Sequence, residues 1–120
     1  VRIVIFKDKQ SNGQVPDPAQ VLKTNTGVVS DVLAFRNLDY SSRYHVQHDE
    51  TVLLPKYVGS GSTTESTKTL NFDKTVNCPV LYHAPNRDLS SIVDNSWHMI
   101  LISNKASVVY GCQLRARFIG

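Results

Sequence analysis

Hydrophobic positions along this chain recur mostly with a period of two, the spacing that lays one face of a strand on a core. Val1 to Asp8 (VRIVIFKD) is apolar on both faces and turns charged at its end, as a buried strand does where it emerges. A loop follows with Asn12-Gly13 and two prolines. Asp17 before Pro18 then reads as the N-cap and first residue of a short helix, Asp17 to Lys23. A second short helical turn is expected after Ser30, with Asp31 in its first turn. The segment from Arg43 to Leu54 is a long strand closed by Pro55, with Tyr44 and Val46 inward. Its other face carries Arg43, His45, Gln47 and Asp49.

Farther along, Lys56 to Lys68 is a Ser/Thr-rich surface loop, and Thr67 to Asn77 alternates, with Leu70, Phe72 and Val76 on one side. A short segment, Pro79 to His83, precedes a long connection from Ala84 to Ser96. Trp97 to Asn104 and Val108 to Gly120 are the last two strands, joined by the turn NKAS. Five or six strands with one or two short helices inserted early make an all-β antiparallel sandwich, and the long interstrand loops fit a jelly roll better than a meander.

Composition narrows the class. The 120 residues make one domain, 1–120, with a single modest core. The 41% apolar and 19% charged content is that of a globular rather than a disordered chain, and no apolar run approaches membrane-spanning length. A net charge of +3 permits contact with nucleic acid without demanding it. Cys78 and Cys112 lack zinc spacing and are read as two reduced, partly buried thiols. Because the chain opens inside a strand, the expectation is that it is the ordered part of a longer protein whose start is absent.

Catalytic chemistry finds little purchase. His45 and His48, three apart on a strand, are expected on opposite faces and so unable to share a metal. His98 beside Trp97 reads as a hydrogen-bonded structural histidine. No Ser-His-Asp, HExxH, P-loop or GxGxxG pattern occurs, so neither an enzyme nor a cofactor is expected, and no metal. The polar strand faces are more informative. In the last strand Cys112, Leu114, Ala116 and Phe118 alternate with Gln113, Arg115 and Arg117. If that strand and the Arg43 strand share a sheet, its outer face is basic and rich in donors, the chemistry that phosphate backbones need.

The ordered set of these segments resembles a family. RYHVQHDETVLL, with Arg43, Tyr44, Val46 and Asp49 as Arg-aromatic-x-aliphatic-x-x-Asp, is similar to the strand after the helical insert in the single jelly-roll capsid proteins of geminiviruses and their circular single-stranded DNA relatives. The coat protein of the satellite tobacco necrosis viruses has a similar run. VRIVIFKDKQSNGQVPDPAQVL resembles their aliphatic-aromatic strand, charged exit, Gly-containing loop and short helix. Phe72, Lys74, Val80, Leu81 and Tyr82 match a further stretch, and WHMILISNKASVVYGCQLRARFIG resembles their terminal hairpin. The family's basic N-terminal arm and first strand have no counterpart here.

The resemblance implies a jelly roll of two four-stranded sheets, with the Arg43 strand and the last strand in the sheet that helps line the particle interior. It implies an icosahedral shell of the smallest class built from many copies of the chain, packaging a single-stranded genome, circular DNA in the first instance. Arg43, His45, Arg115 and Arg117 would then face nucleic acid or a neighbouring subunit. Tyr40 and Tyr57 are expected in a buried or interface role, with stacking on bases as the alternative, and the loops Gln10 to Asp17, Tyr57 to Lys68 and Ala84 to Ser96 would meet the exterior and neighbouring subunits. The expected location is the virion, and the host nucleus during assembly, with no membrane partner. A satellite-type RNA-virus coat and a non-viral sandwich that binds carbohydrate or another ligand are the alternatives.

Overall fold

The computed structural model describes residues 1–23, 32–54, 68–85, 88–103 and 110–115. Three segments carry the architecture. β1 (Arg2–Asp8) lies between β4 (Tyr44–Thr51) and β7 (Ser96–Ile102), antiparallel to both, in a sheet of order β4-β1-β7. Two short ribbons flank it: β2 (Leu22–Lys23) with β3 (Phe35–Arg36), and β5 (Leu81–Tyr82) with β6 (Ile92–Asp94). The only α-helix among the described residues is α1 (Pro18–Val21), joined by 3-10 turns at Leu38–Tyr40 and Leu89–Ser91. The fold is all-β, in antiparallel sheets with very little helix.

Local signals explain the ends of these elements. Asp17 caps α1, its Oδ1 accepting from the Ala19 amide at 2.9 Å, while Pro18 occupies the first turn where its missing N–H is not needed. Asn95 turns the chain from β6 into β7 at φ 63, a left-handed angle asparagine tolerates, and donates to the Pro79 carbonyl at 2.8 Å. Gly13, at φ +78, has Ser90 so close that a Cβ would stand 3.1 Å from its Cα.

The core forms on one face of the three-stranded sheet. Val4 and Phe6 of β1, Tyr44 of β4 and Ile102 of β7 pack against Val21, Leu22 and Ala34 from the helix-ribbon insert. Phe6 meets the Tyr44 ring edge-on at 5.7 Å and stacks on His98 at 5.5 Å. Burying each such side chain is worth about 1.5–3 kcal/mol, so the insert is fixed by this face rather than by its four-residue helix.

Several expectations change. The helical turn after Ser30 gives way to a turn at Val32–Leu33 followed by β3, because Phe35 and Arg36 pair with Lys23 and Leu22; Ser30 and Asp31 lie outside the described residues. The alternating segment from Lys68 to Asn77 makes no strand, and Tyr110 to Arg115 makes none either. Alternation suits a strand but supplies no partner, and neither run pairs with another strand among the described residues. Conversely β6 falls within what reads as a connection. Cys78 and Cys112 are both free thiols, and Cys112 is exposed rather than partly buried.

Candidate nucleic-acid interface

The polar face expected on the Arg43 strand is rebuilt by its register. β1 pairs Lys7 with His45 and Phe6 with Val46, but then Ile5 with His48. Gln47 is therefore the extra residue of a β-bulge, and the strand changes phase there. Beyond it Asp49, opposite buried Val4, turns to the core side, and His48 and Glu50, opposite Ile5 and Ile3, turn to the outer side. This corrects two expectations. Asp49 does not share a face with His45, and His45 and His48 share one face instead of pointing apart. On that face Gln47 Nε2 bonds His45 Nδ1 at 3.0 Å, and His48 bonds Glu50 at 3.0 Å and stacks on Phe72 with centroids 4.8 Å apart. No group of three or more His, Cys, Asp or Glu side chains placed to hold a metal ion occurs among the described residues.

Arg43 precedes β4 in a turn, and its side chain reaches back across the sheet edge. Its Nε and Nη2 donate to the two carboxylate oxygens of Asp8, each at 2.9 Å. Asp8 is 0% exposed, and its remaining described partner is the Gln10 amide at 2.9 Å. The hydrogen bond to Asp8 holds the Arg43 guanidinium even more firmly protonated than usual. A bidentate pair of this kind spends the donors that a phosphate would use, so Arg43 braces the fold. The same chemistry recurs at the other end of β1. Arg2 Nε and Nη2 bond Asp49 at 2.8 Å each, while Nη1 reaches the carbonyls of Val32, at 3.0 Å, and Ala34. The Arg2 hydrogen bonds hold the Asp49 carboxyl below its ordinary range against the opposing effect of burial.

Beside Asp8, Ser11 Oγ and Ser96 Oγ are 2.7 Å apart, and Ser96 Oγ is 2.8 Å from His98 Nε2. This chain pins the Gln10–Asp17 loop to β7, with Ser96 buried and His98 deprived of water so that its pKa falls.

Of the four residues expected to face nucleic acid, His45 is exposed on β4 and Arg115 is exposed in a segment without regular structure. Arg117 lies outside the described residues. Arg43 is turned inward to Asp8. Arg36 escapes the sequence reading because it lies in a stretch read as helical. It is on β3 with its side chain 56% exposed, and its Nε is a loose 3.8 Å from Asp49, which Arg2 already holds in two hydrogen bonds. Among the described residues no helix is long and apolar enough to cross a membrane. Comparison with protein-family models, with curated proteins and with solved structures finds no match to this chain.

Proposed function

We propose that this chain is the shell domain of a viral capsid protein, a single jelly roll whose copies assemble into a small icosahedral particle around a single-stranded genome, circular DNA in the first instance. The observation that carries the reading is the apolar surface one copy leaves uncovered: Leu33, Phe35 and Leu38 are 80%, 75% and 77% exposed within one short stretch beside β4. A subunit of a closed shell meets neighbours about several axes at once and needs such surface. Patches of this kind on a chain this small mark association surfaces. No chemistry beyond association and phosphate contact is required of the chain.

The test is negative-stain electron microscopy of the purified protein, with absorbance at 260 and 280 nm on the same gradient fraction. Uniform small shells with a nucleic-acid-rich ratio are expected. A monodisperse, nucleic-acid-free monomer in sedimentation would overturn the reading.

A further inference from the structure

Among the described residues β4 is the outer strand of its sheet, and a hollow of about 160 Å³ lies along it, lined among others by Val21, Arg36, Leu38, Tyr44, His45 and Val46. We propose that this hollow is a phosphate-binding seat for single-stranded nucleic acid, gripping one phosphodiester and its sugar while the bases stay outside.

Three kinds of donor converge there. Arg36 brings a guanidinium only loosely engaged by Asp49. His45 brings an imidazole whose Nδ1 accepts from Gln47, which leaves the proton on Nε2 as a donor. The backbone supplies the third. The Arg43 carbonyl accepts from Lys9 on the β1 side at 3.0 Å, so by the alternation of an antiparallel ladder the amides of Tyr44 and Val46 face away from β1, on the side where no described strand pairs. Cationic, neutral and backbone donors together suit the two non-bridging oxygens of a phosphodiester. Val21, Val46 and Leu38 give the apolar walls that suit a sugar.

Size and length select this ligand over others. The volume is well below the roughly 300–1,000 Å³ of pockets that swallow a whole drug-sized molecule. A peptide strand would need a longer ladder, but the Arg43 turn and the Gln47 bulge leave only Tyr44 to Val46 regular at this edge. Phe35, next to Arg36 and mostly exposed, offers a ring on which a neighbouring base can stack. This seat rests on the genome-packaging reading above and names where the packaged strand is held.

The experiment is fluorescence anisotropy of a labelled ten-thymidine DNA with the full chain and with Arg36→Gln, His45→Leu and Arg115→Gln, across a salt series. A peptide nucleic acid of ten thymines, which has bases but no phosphates, is the control probe. Arg36→Gln is expected to weaken DNA binding about tenfold and to lower the slope of log affinity against log salt by about 1. His45→Leu is expected to weaken it about threefold, Arg115→Gln less than twofold, and the phosphate-free probe is expected not to bind. If the unaltered chain binds DNA and both hollow variants bind it equally well, or if the phosphate-free probe binds as tightly, the seat is overturned while packaging stands. If the unaltered chain ignores DNA, the seat and the packaging reading fall together, and shells seen by microscopy would leave only the assembly reading.

Discussion

Replacing Arg43 with leucine separates a structural arginine from a nucleic-acid contact. Asp8 is fully buried and has three described donors to its carboxylate, two of them from Arg43. Arg43→Leu leaves a buried carboxylate with the Gln10 amide alone. Removing one partner of a buried, hydrogen-bonded ion pair typically destabilises by about 3–5 kcal/mol. The Arg43 side chain is 19% exposed, so water reaches one side of the pair and the lower end, about 3 kcal/mol, applies. For a chain of this length that lowers the melting temperature by roughly 10 °C. Replacing both partners should recover most of the loss, because apolar side chains in their place leave no stranded charge. Urea unfolding followed by the fluorescence of Trp97, the single tryptophan, measures both variants and the unaltered chain on one scale. A loss under about 1 kcal/mol for Arg43→Leu, accompanied by weakened binding of single-stranded DNA, would refute the structural assignment and return Arg43 to the interface.

Further outcomes follow from the same contacts. His98 is kept neutral by burial, so its folded pKa lies below the unfolded value near 6.5 and the unfolded chain binds more protons beneath that pH; stability should fall as pH drops below about 6.5, and His98→Gln should flatten that limb in melts taken between pH 5 and 7. Asp49 has the opposite sense: its folded pKa is depressed by Arg2, so its contribution is complete above the unfolded value near 3.9 and is lost as pH falls through the lower folded one. Asp49→Asn should lower stability at pH 7 and make the melt less sensitive to acid below pH 4. Deleting Gln47 removes only the extra residue and leaves Val46 opposite Phe6 and His48 opposite Ile5 in regular alternation; circular dichroism should show the cooperative transition retained, and its loss would count against the register. Leu38→Glu, at an exposed position, should leave the melting temperature within about 2 °C while sedimentation velocity shows assembly reduced or abolished.

How much of this was legible in the residues varies with the range of the interaction that decides each feature. β1, β7 and the start of α1 follow from short stretches, because a buried strand needs only alternating or continuous apolar side chains and a helix start needs only Asp17 before Pro18. The phase of β4 was not legible. Gln47, His48, Asp49 and Glu50 are all polar, so no apolar side chain marks where alternation slips. The slip becomes visible only once β1 supplies Ile5 and Val4 as partners.

The interface was misread for the same reason. Arg43 and His45 are equally plausible phosphate contacts while they are only letters on one strand, yet a carboxylate 35 residues earlier claims the first and leaves the second exposed. Arg2 and Asp49, 47 residues apart, form a second such pair. Arg36 gains its place beside β4 because β3 pairs with β2 and the insert packs on the sheet. Strand character, the early helix and the basic, donor-rich composition are local properties and belong to the chain itself. Which arginines are consumed and which remain open depends on distances between residues far apart in sequence, and those exist only after the sheet has closed over its core.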